Sequence, residues 1–413
     1  MDVSINVGYF GPHISDDKDL FKKLDDIGVS CVWTAEAYGY DAVTPLAYFS
    51  ALTNNMNIGS GIMQIPARTP AMTAMTAVTL DQMSKGRFRL GLGVSGPQVV
   101  EGWHGVPYGK PLAKTREYVE LVRNIIKREG KVEHNGEYYE LPLSGENTTG
   151  LGKPLKLIDQ PFRDEIPIYL AAVGLKNVEM TAEIADGWLP FMYSPLKGEE
   201  IYKDSLTNGF KKSGVSDKKD KFEIVTTVIG RVCEEEEVDE YLYPARNVYT
   251  LYVGGMGAKS KNFYYNLFCE YGYEDIADEL QNLYLSGNKK ESEKMFTIVL
   301  IEPQIPPNTG STGRLCGATN TRLHVVGKLG FELSDRTLKR AGLDYWKHVD
   351  LQEHVDIEAF WLWAAGRDAS CGGAGGRRSA RLRRGQRLPP SASTVLPRAP
   401  ALYDRSFTRP RRS

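Results

Sequence analysis

Apolar and polar positions alternate along the first 290 residues in two rhythms that take turns. Val3 to Tyr9 repeats with period two, the signature of a half-buried strand. Asp16 to Ile27 then carries Leu20, Leu24 and Ile27 at helical spacing and stops at Gly28. Ser30 to Thr34 reads as a second strand and Val43 to Asn54 as a second helix. Apolar residues of strand type run to Ile62, and Gln64-Ile-Pro-Ala-Arg-Thr forms a polar elbow. Pro70 suits a helix's first position, so the spacing predicts a helix to Met83, halted by Ser84-Lys85-Gly86. Phe88 to Val94 is the next apolar strand, and it opens into the loop Gly93-Val94-Ser95-Gly96. Two parallel strands joined by a crossover helix place their functional loops at the strands' C-terminal ends, here Gly61-Ile62 and Gly93 to Gly96.

Beyond Gly96 a long loop precedes an amphipathic helix from Leu112 to Arg128. Lys131 to Leu141 holds Asn135-Gly136 between alternating residues, a hairpin signal outside the main repeat. Ile166 to Ala172 reads as a buried strand, Gly174 to Ala185 as a helix, and Gly187-Trp-Leu-Pro-Phe-Met as a short strand. The stretch 197–213 is helical, Phe222 to Val232 is a strand, and 237–253 and 260–286 are helical, the former interrupted by Pro244. About seven strand–helix repeats with no visible reversal of strand order fit an eightfold (β/α) barrel better than an open sheet. The open Rossmann arrangement is the structural alternative, weakened because no GxGxxG opens a helix after the first strand.

At Met295 the texture changes to a fresh apolar strand and a proline-rich turn, and after about Ala365 it changes again. From Arg367 onward the chain has about a dozen arginines, no lysine and few large apolar residues. Such a tail cannot bury enough apolar surface to offset its ordering entropy, so disorder is expected. Three parts follow: 1–294, 295–365 and 366–413. The net charge of −1 averages over these unlike parts and does not by itself point to a polyanionic partner. The tail could meet nucleic acid electrostatically, but almost no aromatics interleave its arginines. Five scattered cysteines, without a CxxC pair, argue against a disulfide framework or a metal site. No run has the length of a membrane span, and the N-terminus lacks a basic and an apolar leader region. A soluble, cytoplasmic protein is expected.

Candidate chemistry lies in the loops. Gly91 to Gly96 lacks the Cβ atoms that would keep a planar ring or phosphate away, though a tight barrel turn needs the same residues. Gly174 followed by Lys176 suits a phosphate at a helix N-terminus, yet glycine before a helix is common. Glu36 directly follows a buried strand, and Trp103-His104 sits where a lid would lie; a capping carboxylate and a structural histidine are the plainer readings of each. Glu234 to Glu237 reads as a solvated helix start. Asn308 to Arg314 is an anion-binding turn or simply a polar loop.

The order IMQIPARTPAMTAMTAVTLDQMSKGRFRLGLGVSGPQVVEGWHG, with Ala171-Ala-Val-Gly and Glu183-Ile-Ala-Asp-Gly-Trp188, resembles the luciferase-like monooxygenase superfamily in its coenzyme F420-dependent branch. The resemblance covers about 1–290 and implies a (β/α)8 TIM barrel, often dimeric. It also implies coenzyme F420, or FMN as the alternative, in the C-terminal mouth, with a small organic molecule as substrate. By position, Gly61-Ile62 matches the bulge beneath the ring, often a non-proline cis peptide. Gln64 and Gly93, Val94, Ser95 and Gly96 match residues near the ring, and Gly174 and Lys176 the phosphate site. Glu36 matches the acidic residue that faces the substrate in relatives, and with His104 of the lid-like loop it is a candidate catalytic residue. Two departures stand out: the histidine that follows the acid in sugar-phosphate dehydrogenase relatives is Ala37, and the eighth βα unit is missing where the chain runs into Met295. Phe296 to Leu300 could substitute for the missing strand.

The stretch IVLIEPQIPPNTGSTGRLCGATNTRLHVVGKLGFELSDRTLKRAGLDYW is similar to the start of the tRNA (cytidine-34-2'-O)-methyltransferases, a knotted SPOUT family. Asn308 and Arg314 match its first motif. The S-adenosylmethionine-binding knot comes later in that family and has no counterpart after Trp363, so S-adenosylmethionine is not expected as a cofactor. A tRNA partner follows only if this segment acts. Two neighbouring genes joined at Met295, followed by a frame change near Ala365, account for the order. The implied activity is a (deaza)flavin-dependent oxidoreductase; the alternatives are half of an RNA methyltransferase, or a hybrid with neither activity.

Overall fold

A computed structural model describes residues 2–7, 17–146, 148–227, 247–257, 261–288, 298–301, 323–328, 349, 351–356 and 359. Asn308, Arg314, the acidic run at 234–237 and the tail 366–413 lie outside them. The strands are β1 (Ser4–Val7), β2 (Cys31–Thr34), β3 (Asn57–Ser60), β4 (Met63–Gln64) and β5 (Phe88–Gly93). After these come the small β6 (His134–Asn135) and β7 (Glu140–Leu141), then β8 (Ile168–Ala171), β9 (Gly187–Leu189) and β10 (Glu223–Ile224). The outer helices between them are α1 (Lys18–Asp26), α2 (Val43–Leu52), α3 (Pro70–Met83), α4 (Pro97–Gly102), α5 (Pro111–Lys127), α6 (Leu175–Ile184), α7 (Gly198–Ser213) and α8 (Lys218–Lys221). A π-helical turn at Thr250–Gly255, α9 (Phe263–Glu270) and α10 (Glu274–Leu285) follow.

All main strands are parallel, in the order β1-β2-β3-β5-β8-β9-β10, with β4 also on β5. Chain order and sheet order agree, as right-handed crossovers through outer helices require. Among the described strands the sheet is therefore a curled (β/α) half-barrel, in which β1 and β10 each have one neighbour. β6 and β7 form the expected antiparallel hairpin apart from it.

The two faces of the sheet are chemically distinct. Val32, Ile58, Phe88, Leu90, Leu92, Ile168 and Leu170 point outward into one core with Leu46, Phe49, Ala74 and Tyr118 of the covering helices. The alternate residues Cys31, Trp33 and Tyr169 form a separate inner cluster with Leu189 and Val225. Trp33 and Tyr169 meet edge to face, with ring centroids 5.5 Å apart. Glycine opposite makes room for them: a Cβ at Gly59 would come within 2.4 Å of the Trp33 ring, and one at Gly187 within 2.2 Å of Tyr169. A second core joins α6, α7 and the helices of 247–285 through Val178, Trp188, Tyr202, Tyr252 and Leu280.

Several elements depart from the spacing. The long loop after Gly96 contains α4, begun by Pro97. The single helix expected over 260–286 breaks at Gly272, whose φ is +84°. β11 (Ile298–Ile301) is a correction of another kind. It pairs in parallel with β12 (Leu323–Val326), which pairs with β13 (Leu351–His354), in a three-stranded sheet of its own. The strand after Met295 therefore joins that sheet and does not stand in as the barrel's eighth strand.

Candidate active site

β3 and β4 are one strand interrupted by a bulge. Gly59 is opposite Arg89 and Met63 is opposite Leu92, so this strand carries one more residue than its partner across the same span. The Gly61–Ile62 peptide inside the bulge is cis, as the resemblance implied. The Ser60 hydroxyl ties the base of the bulge to β5, donating to the Gly91 carbonyl at 2.8 Å and accepting from its N–H at 2.9 Å. Contact here is so close that a Cβ at Gly91 would sit 1.8 Å from the Ser60 carbonyl oxygen. At Gly93 it would sit 2.5 Å from Ile62 Cδ1 and 3.4 Å from Ala171 Cβ. Gly93 thus brings the bulge, β5 and the end of β8 together at the C-terminal mouth.

Glu36, at the end of β2, holds the bulge from the other side. Its backbone N–H donates to the Ile62 carbonyl at 3.2 Å. Its carboxylate accepts from the Gln64 N–H at 2.8 Å and the Ala42 N–H at 3.0 Å, and both its oxygens meet the Arg68 guanidinium, Nη2 at 3.1 Å. Its two oxygens thus receive four protein donors. The acid expected to face a substrate is, in this geometry, a buried support.

Gln64 continues outward. Its amide Nε2 donates to Ser95 Oγ at 3.2 Å, and its Oε1 lies 2.6 Å from His104 Nε2. Ser95 adopts a left-handed φ of +62° that turns its hydroxyl toward Gln64. Glu36, Ile62, Gln64, Ser95 and His104 therefore converge, although they come from three loops. Trp103 beside His104 is 67% exposed. Met256, after the π-helical turn, borders the loop at Gly96, 3.9 Å from where that residue's Cβ would be.

Gly174 caps α6 with extended backbone, a Cβ there would meet nothing within 4 Å, and Lys176 is exposed. The first N–H groups of a ten-residue helix are left uncovered beside a cation, which suits an anion. This pair follows β8 at the same mouth but makes no contact with the Gln64 cluster. Sequence reasoning passed over Arg68. The available signal was an arginine in a polar elbow after one strand, with a carboxylate after the preceding strand. Ser60 and Trp33 were also missed; the Trp33 Nε1 is buried with no hydrogen-bond partner among the described residues.

A parallel half-barrel with a glycine-lined mouth, a bulged third strand and an anion-ready helix defines a class of TIM-barrel enzymes. The model of the luciferase-like monooxygenase family matches residues 3–302, and the chain belongs to that family. A protein of Mycobacterium tuberculosis named for coenzyme F420-dependent oxidoreductase activity is 42% identical over 306 residues, covering 74% of this chain and 87% of that protein. The coenzyme F420-dependent tetrahydromethanopterin reductase of Methanopyrus kandleri shares the fold, with a TM-score of 0.55 at 19% identity over 84% of this chain and 98% of that one.

The model of the SpoU rRNA methylase family matches residues 295–371, so a fragment of a second enzyme is fused to the first. A protein of Synechocystis named for tRNA (cytidine(34)-2'-O)-methyltransferase activity is 64% identical over 66 residues. The chain spans 43% of that relative's length. No helix among the described residues is long and apolar enough to cross a membrane.

Proposed function

We propose that the chain is a coenzyme F420-dependent oxidoreductase acting on a small organic molecule, with FMN as the alternative cofactor. The observation that carries this reading is the glycine-floored mouth formed by the bulge and Gly93, at the position where the resemblance sets the ring, in a chain 42% identical to a relative named for that activity. The residues fit the group. A side chain at Gly93 would fill the space against Ile62, and Gly174 leaves the α6 N-terminus open to a phosphate. Gly61, Ile62, Gln64, Gly93, Val94, Ser95 and Gly96 would hold the ring, and Gly174 and Lys176 the phosphate. The deazaflavin, when bound, supplies the hydride chemistry. The protein's share is to orient the ring, exclude water and present His104, with Glu36 supporting the bulge.

The domain layout 1–294, 295–365 and 366–413 and a homodimer, as the resemblance implies, complete the proposal. Titration of the purified chain with F420 and with FMN, followed by cofactor fluorescence, tests it. Saturable binding of one of them is expected, and binding of neither overturns it.

The match over 295–371 favours RNA 2'-O-methyl transfer as a second reading. The chain spans 43% of the Synechocystis relative's length; on the proposal that the methyl-donor site lies in the remainder, titration with S-adenosylmethionine is expected to give no heat. Saturable heat would revive this reading, and with it tRNA as a partner.

A further inference from the structure

The polar groups at the mouth form one directed chain that starts at Arg68. The Arg68 backbone is itself fixed. Burial pushes the Tyr118 hydroxyl up to about 12, so it keeps its proton, and it donates to the Arg68 carbonyl at 3.2 Å while meeting the Thr73 hydroxyl. The Arg68 guanidinium grips both oxygens of Glu36, a planar fork on a planar carboxylate. With Ala42 and Gln64 also donating, the carboxylate has about as many partners as lone pairs and none left over for a ligand.

The Gln64 N–H is the link outward. Its own side chain lies between Ser95 and His104, and with Nε2 turned to Ser95 its Oε1 can only accept. The imidazole nitrogen 2.6 Å away must then be the N–H, and in the neutral ring the lone pair is left on Nδ1. No hydrogen bond among the described residues reaches that atom.

We propose that Arg68 is a positioning residue which, through Glu36 and Gln64, fixes His104 as the Nε2–H tautomer with Nδ1 left as an acceptor. A ligand group that meets the ring there has to be a donor, a hydroxyl or an N–H. That last step rests on the oxidoreductase reading, which puts the substrate at this mouth; the tautomer itself does not.

The test is a long-range 1H–15N spectrum of the full chain with labelled histidine, without cofactor. The spectrum is recorded at about pH 8.5, roughly two units above the ordinary imidazole value. His104 is assigned among the six histidines by its loss in His104→Asn. The wild type is expected to show the Nε2–H pattern. Arg68→Met and Gln64→Ala are expected to give the averaged pattern of a ring exchanging between tautomers, and Arg68→Lys, which keeps the charge but not the fork, an intermediate one. Ser95→Gly leaves the Arg68–Glu36 pair untouched and frees only the Gln64 amide. It too is expected to give averaging and tests the Gln64–His104 step alone, while Arg68→Lys tests the Arg68 step if Arg68→Met does not fold.

An Nδ1–H pattern in the wild type overturns the proposal. So does an unchanged pattern in folded Arg68→Met or in Ser95→Gly. Titration of the wild type with deazaflavin and with FMN separates the two claims: absence of binding of both removes the oxidoreductase reading and the ligand step while leaving the tautomer standing. Binding together with an Nδ1–H ring removes the tautomer, the positioning role and the ligand step, and leaves the oxidoreductase reading standing.

Discussion

The side chains of Glu36 and Arg68 are 8% and 18% exposed, so each is the other's replacement for lost water. Glu36→Gln leaves the guanidinium half-satisfied in a buried place and puts an amide N–H₂ against backbone N–H donors. It is expected to lower stability by about 3 kcal/mol, read as a shift of the urea midpoint at unchanged slope. The glycines divide in the opposite way. Gly91→Ala drives a Cβ into the Ser60 carbonyl, 1.8 Å away, where backbone and not a flexible side chain must yield. A loss of about 3 kcal/mol in the same assay is expected. Gly174→Ala meets nothing within 4 Å and needs no unusual φ, so its stability should stay within about 0.5 kcal/mol of wild type. F420 affinity in a fluorescence titration should nonetheless fall several-fold, because the new methyl group stands over the helix N-terminus. Glu36, Gln64, Ser95 and His104 could each be singled out from sequence because each sits just past an apolar strand or in a glycine loop. Which of them touch could not, since the Glu36–Arg68 contact spans 32 residues and depends on how the bulge turns the elbow.

At the scale of elements, the boundaries legible in sequence are those set by local chemistry. Pro70 opens α3 and Thr69 caps it; Asp17 caps α1, and Gly28 follows it at φ +84°. The elements missed depend on tertiary contacts. The π-helical turn packs against α10, where a Cβ at Gly254 would meet Leu280 and Tyr284, and no residue pattern announces it. Two carboxylates join elements here. Asp81 at the end of α3 is 1% exposed in its side chain and paired with Arg163, ahead of β8. Arg163→Ala leaves that carboxylate buried and unpaired and should cost about 3–4 kcal/mol in a urea titration. Asp25 of α1 receives the N–H groups of Asn54, Asn55 and Met56 before β3. Burial pushes its pKa up, but those donors and the Arg87 charge outweigh it and leave the carboxyl below its usual value. A depressed folded-state pKa contributes stability that is present above the unfolded value, near 4, and lost as pH falls through the folded one. Urea midpoints should therefore decline below about pH 4, and Asp25→Ala, already less stable at neutral pH, should show a shallower acid decline.

At the scale of the whole molecule, the alternation of strand and helix made the parallel architecture legible from β1 to β10. The half-barrel formed by the described strands was legible too, from a repeat that stops short at Met295. The pairing of β11 with β12 was not, because an apolar strand of four residues fits either sheet and only its partners decide. The consequence is a half-barrel whose edge strand β1 is only partly covered, with Asn6 exposed and Ile5 and Val7 half-buried, while β2 beside it is fully buried. Function then turns on whether the mouth, built by β2 to β8 away from both edges, works without closure. The mouth is expected to bind its cofactor as it stands. The most direct test is fluorescence titration of the full purified chain with coenzyme F420 at fixed salt. Saturable binding at one site per chain, weakened in Gly174→Ala while folding is unchanged, is the predicted result; a folded chain that binds neither F420 nor FMN contradicts it.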